Sequence, residues 1–216
     1  MKKWMLAGLA LLPLAAIAST AAIPSARSDS DEVAKVVKTA VDKVVAVLRN
    51  DSLDRVAKRE KSMEIVEPLI DFKLLAMLSL GKTHWSAADA NQRTRFTDLF
   101  AETLKLSYFE KLELFTDEDV EFEEPVLSSS KGSPKYFVMS YIVSKGDRIK
   151  VGYHLTKRGD SWKVFNFEIE GVSILKSYGS QYNDYLKENS FDQLLKTMQE
   201  KIDTTKAKDS DSDSKN

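Results

Sequence analysis

Three stretches decide the fold: Tyr136–Val143 (YFVMSYIV), Arg148–Thr156 (RIKVGYHLT) and Ser161–Glu170 (SWKVFNFEIE). Each is rich in β-branched and aromatic residues and repeats with a period of two. Lys145-Gly146-Asp147 and Arg158-Gly159-Asp160 separate them as turn signals, so they read as consecutive antiparallel strands. In the middle stretch Ile149, Val151, Tyr153 and Leu155 alternate with Lys150, Gly152, His154 and Thr156. In the last, strict alternation puts Phe165, Phe167 and Ile169 on one face and Trp162 and Val164 on the other. That strand therefore reads as covered on both sides at its start.

Upstream of the strands the period is helical. Asp29-Ser30-Asp31 offers capping oxygens for a helix whose stripe is Val33, Val36, Val37, Ala40, Val41, Val44, Val45 and Leu48. A second helix is expected from Asp51 to Val66, broken at Pro68. The apolar run Leu69–Leu80 then ends at Gly81, a C-terminal helix signal. Ser86 or Asp89 can cap a long helix with Phe96, Leu99, Phe100, Leu104, Tyr108 and Leu112 on one side. Thr116–Glu124 is acidic, and Pro125 marks the change of regime. After the strands, helices are expected over Ser173–Lys187 and Phe191–Ile202. Helices, then a meander, then helices give an α+β fold with helices packed on a curved antiparallel sheet.

Lys2 and Lys3, the uncharged run Trp4–Ile17 and the small residues Ala18–Ala22 read as an export signal over residues 1–22. The run is short for a membrane span, which needs about 20 apolar residues, and Pro13 interrupts it. The domain then occupies residues 30–203, and 204–216, without apolar content, read as a disordered polar tail.

The chain has 216 residues, 32 Lys+Arg against 33 Asp+Glu, 43% hydrophobic residues and no cysteine. Absent cysteine excludes disulfides, thiolate zinc and Cys nucleophiles, and the charge balance gives no basic surface for nucleic acid. The two histidines, His84 and His154, lack the i, i+4 spacing of a helical metal site, so no metal is expected. Ser173 follows Glu170-Gly171-Val172, which is not a nucleophile elbow, and no phosphate-cradling glycine loop occurs. No catalytic residues are expected. Each aromatic residue taken singly reads as core, but the set on the long helix and the sheet points to an apolar cavity between them.

Ile70-Asp71-Phe72, Met77, Leu80-Gly81, Trp85, Asn91-Gln92-Arg93, Phe96, Phe100, Leu104 and Tyr108 together resemble the MlaC family. Downstream, Tyr153-His154-Leu155, Trp162-Lys163-Val164-Phe165, Glu170-Gly171-Val172-Ser173, Tyr178 and Gln181-Tyr182 agree, so the resemblance covers about Val33 to Ile202. It implies an NTF2-like fold whose apolar pocket takes the acyl chains of a glycerophospholipid cargo, with no cofactor. It further implies a periplasmic shuttle between an outer-membrane lipoprotein complex and the MCE subunit of an inner-membrane ABC transporter, touching membranes only through those partners.

On that reading the pocket is lined from the first helices by Leu74, Met77, Leu78 and Trp85, and from the long helix by Phe96, Phe100, Leu104 and Tyr108. The strands contribute Phe137, Met139, Tyr141, Val151, Tyr153, Leu155, Val164, Phe165 and Phe167, and the segment after them Val172 and Leu175. The chain departs from the family pattern at His154, Asn166 and Gly179, each a lost charge. This implies that an internal ion-pair cluster is replaced by a neutral one centred on His154 and Asn166. The competing readings are an NTF2-like isomerase or hydrolase using His154 with a carboxylate, and an envelope adaptor without ligand.

Overall fold

The computed structural model describes residues 24–112, 119–144 and 147–213. The expected export signal lies outside them, as does most of the Lys145-Gly146-Asp147 turn. Six helices and six strands follow in the order α1 (Pro24–Leu48), α2 (Arg55–Val66), α3 (Phe72–Ala87), α4 (Ala90–Leu112), β1 (Asp119–Phe122), β2 (Val126–Ser129), β3 (Lys135–Ser144), β4 (Asp147–Arg158), β5 (Ser161–Ile169), β6 (Val172–Ser173), α5 (Ile174–Tyr185) and α6 (Phe191–Asp213). A 3-10 turn over Glu67–Leu69 joins α2 to α3. The strands form one antiparallel sheet ordered β1-β3-β4-β5-β6, with β2 also on β3. The architecture is α+β.

Local chemistry explains the element ends. The side chain of Asp54 caps α2 and that of Asp71 caps α3, accepting from Ala57 N and Leu74 N. Asp89 and Gln92 form a reciprocal capping box at the start of α4. At Gly81 the backbone takes φ +77°, a conformation that favours glycine, so α3 breaks there and resumes towards Trp85. Glu170 and Gly171 both have positive φ, as the tight two-residue turn between β5 and β6 requires. Ser173 then ends β6 and caps α5 through Lys176 N.

The structure corrects the sequence expectations at four places. Helix α1 begins at Pro24, not beside Asp29, and Asp29 instead pairs with Lys157 on the sheet. The acidic stretch contains a strand: β1 joins β3, whose Tyr141 donates to Glu123, and Glu121 pairs with Arg148 of β4. Residues 204–213 continue α6 where a disordered tail is expected, with Lys206 paired to Glu102 and Thr204 bonded back to Glu200 O. Finally, the β4–β5 register shifts between His154 and Leu155, which leaves Phe165 as an inserted residue. This bulge reverses the alternation. Trp162, Val164, Phe167 and Ile169 come onto the same face, opposite Leu155, Tyr153 and Val151.

Candidate functional site

Register fixes which side chains share a face, because directly paired residues of an antiparallel ladder project to the same side. The inner face carries Tyr136, Val138, Ser140 and Ile142 of β3, Ile149, Val151, Tyr153 and Leu155 of β4, and Val120 and Phe122 of β1. The outer face carries Phe137, Met139, Tyr141, Gly152 and His154.

The interior is divided. One buried cluster joins Val33 and Val37 of α1 to Tyr136, Val138, Leu155, Trp162 and Val164. The other belongs to the helices, with Leu75, Phe96, Phe100, Leu104, Tyr182, Leu195 and Met198 among its members. A domain of this size ordinarily shows one contiguous core. Here half-buried Phe167 packs against both clusters, flanked by Tyr153 on one side and Ile169 on the other. Further along the inner face, beyond Tyr153, stand Val120, Ile142, Ile149 and Val151, all half-buried and packed against neither cluster. This apolar seam is the candidate site.

Helix α1 borders the seam. Lys157 reaches Asp29 at 2.9 Å, and the Trp162 indole donates to Glu32 at 3.1 Å, tying its first part to one end of the sheet. Lys38 lies over the Phe122 ring further along. On the opposite side the close approach of α3 and α5 depends on Gly179, where a Cβ would meet Ser79 O at 3.0 Å. The polar groups inside are few. The Tyr153 hydroxyl accepts from Ser140, and burial raises its phenol above its ordinary value although the residue keeps some exposed surface. Burial, helped by Tyr178, pushes the Tyr108 phenol up to about 12. Among the described residues there is no His/Cys/Asp/Glu group that could hold a metal ion, and no helix is long and apolar enough to cross a membrane.

The nineteen residues expected to line a pocket separate into groups. Val151, Tyr153 and Phe167 lie in the seam, with Tyr108 at the half-buried margin of the helical cluster. Phe96, Phe100 and Leu104 are buried within that cluster, where Trp85 also packs, and Leu155 and Val164 are sealed beneath α1. Phe137, Met139 and Tyr141 are on the outer face, and Phe165 stands near His154 there, 6.0 Å between rings. Leu78 and Val172 are exposed, while Leu74, Met77 and Leu175 are half-buried. Sequence reasoning did not name Val120, Phe122, Ile142 and Ile169 as lining residues, and the register adds them to the candidate site. Ile149 carried the right signal, as the same-face neighbour of Val151 in a clean alternation.

The expected neutral centre at His154 and Asn166 is corrected. The two are register partners, but His154 Nε2 meets Glu168 Oε1 at 2.8 Å, whereas Asn166 accepts from Ser173 Oγ and Leu175 N at the start of α5. His154 therefore has a carboxylate partner. That pair lies on the side of the sheet opposite Tyr153.

The family model described as MlaC protein matches residues 38–200. Among solved structures the chain is similar to a phospholipid-binding protein from Ralstonia solanacearum in complex with a phospholipid. The TM-score is 0.69 at 23% identity, covering 79% of this chain and 96% of that one, a likeness of fold. Comparison with curated proteins finds no match.

Proposed function

The chain belongs to the MlaC family, and on that premise we propose that it is a periplasmic phospholipid carrier that houses acyl chains along the half-buried seam of the sheet's inner face. The observation that carries the reading is the divided interior, with apolar side chains left half-buried where a single core would enclose them. We further read it as a shuttle between an outer-membrane lipoprotein complex and an inner-membrane ABC transporter carrying an MCE subunit. The relative from Ralstonia solanacearum, bound to a phospholipid, supports the class of cargo.

Apolar surface is mechanism enough. Two chains of about 16 carbons cost on the order of 25 kcal/mol to expose to water, at about 0.8 kcal/mol per methylene. The strongest non-covalent affinities reach only about 18 to 21 kcal/mol. A carrier must therefore replace the burial the bilayer gave, so transfer is nearly isoenergetic and the donor and acceptor set its direction. Val120, Ile142, Ile149 and Val151 give dry walls, and Tyr153 spends its hydroxyl on Ser140. The His154–Glu168 pair, on the other side of the sheet, gives no support to an enzyme acting in the seam.

The test is lipid extraction and mass spectrometry of protein purified from a Gram-negative host, followed by delipidation and reloading from phosphatidylethanolamine/phosphatidylglycerol vesicles. Stoichiometric phospholipid is expected, and Val151→Asp should abolish reloading while the protein stays folded. Protein that arrives empty and takes up no lipid from vesicles contradicts the reading.

A further inference from the structure

Helix α5 presents three tyrosines to its neighbours, and their hydroxyls are treated differently. Tyr185 is held by α6: its hydroxyl pairs with Thr197 Oγ1 at 2.8 Å and reaches Gln193 O at 3.4 Å. Tyr178 and Tyr182, one turn apart, have ring centroids 5.7 Å from each other, and Phe100 meets both edge-on at 5.2 and 5.8 Å. Phe96 adds a second edge contact to Tyr182 at 5.2 Å. Packing on several sides thus fixes where these hydroxyls stand. Yet among the described residues neither hydroxyl has a hydrogen-bond partner, although Tyr182 is only 7% exposed.

Phenylalanine would make the same ring contacts without stranding a hydroxyl, and a buried donor left unpaired is costly. The Tyr182 hydroxyl is also not sealed off, because Ser62 Oγ is the one described side-chain atom that is both fully occluded and unpaired. It therefore keeps some accessible surface. Burial and the neighbouring Tyr178 hold the Tyr182 phenol far above its ordinary value, so it remains a protonated donor at any physiological pH.

We propose that Tyr178 and Tyr182 form a donor subsite for acceptor oxygens on a largely apolar guest: in a diacyl lipid, the ester carbonyls that join the chains to glycerol. This rests on the carrier reading and adds a chemical preference to it. The subsite requires ester-linked chains rather than hydrocarbon alone, since an ether oxygen is a much poorer acceptor at that place. It lies where α4 and α5 meet, on the same helical cluster that Phe167 and Ile169 of the seam pack against.

The experiment loads the delipidated full chain from vesicles of diester phosphatidylglycerol or of its diether counterpart with identical chains, and follows release into excess acceptor vesicles. Native protein is expected to hold the diester about tenfold longer, the effect of two hydrogen bonds. Tyr178→Phe/Tyr182→Phe should release diester about tenfold faster and leave diether release unchanged. Tyr185→Phe should keep the preference. Equal retention of the two lipids by native protein overturns the subsite while leaving the carrier intact, and so does a double variant that keeps the preference. Uptake of neither lipid overturns both proposals at once. The native comparison needs no variant to fold.

Discussion

At one end of the sheet's inner face Tyr136, Val138, Leu155, Trp162 and Val164 lie buried against Val33 and Val37 of α1. At the other end Val120, Ile142, Ile149 and Val151, from β1, β3 and β4, are equally apolar, yet all stay half-buried. Composition does not separate the two ends. Helix α1 is tied to the sealed end at Lys157 and Trp162 by Asp29 and Glu32, while Arg49 after its last turn reaches Asp119 of β1 at 3.9 Å. One apolar surface thus has a sealed half and a half-buried half, and the carrier reading gives the second half to the guest.

Core truncation gives the largest effect. Leu155→Ala, at the sealed end, is expected to lower stability by about 3 kcal/mol, because a fully buried leucine leaves a cavity. Val151→Ala at the open end should cost under about 1.5 kcal/mol in lipid-free protein. Urea titration of both variants decides: comparable losses would mean that the seam is ordinary solid core.

Alkaline titration sharpens the contrast at Tyr153. Burial raises its phenol in the folded state, whereas the unfolded phenol ionises near pH 10. Above pH 10 the unfolded chain therefore releases this proton first, and stability falls as pH rises, by at most about 1.4 kcal/mol per unit. Tyr153→Phe should flatten that part of the profile. An unchanged slope would mean that the Tyr153 side of the seam is wet rather than dry.

The smallest effect is expected at Ser62, buried in α2 with an unpaired hydroxyl away from both ends of the face. Ser62→Ala should leave stability unchanged or raise it by up to about 1 kcal/mol, as read by thermal melting, with lipid retention unaltered. A marked loss of retention would show that the guest's space extends beyond the seam.

The residues that carry the family resemblance turn out to hold the scaffold. Asp71 caps α3 and pairs with Arg158 at 2.8 Å. Arg93 donates to Trp85 O and Ser86 O, fastening α4 to the end of broken α3. Gly171 turns the β5–β6 hairpin, and Ser173 caps α5. These are local demands, so they are legible in short sequence blocks. The seam is less legible. Phe137, Met139 and Tyr141 are as apolar as Val151 and Tyr153, and only the pairing register tells the outer face from the inner. Phe165 departs from alternation because a bulge inserts it, and no residue type in Trp162–Phe167 announces that shift. Strand β1 was hidden by its charges, which suit an edge strand whose Glu121 meets Arg148 of β4 beyond the neighbouring β3.

Taken alone, the sequence determined the three central strands, the helices on either side, and the family. Period, caps and turn residues act between neighbours along the chain, so they can be read in order. Tertiary structure decided which half of the inner face is sealed, which side of the sheet the bulge gives to Phe167 and Ile169, and that His154 is met by Glu168. It also decided that the Tyr178 and Tyr182 hydroxyls are left without a partner among the described residues. Each of these depends on separate segments of the chain meeting in space, and no local pattern encodes those meetings.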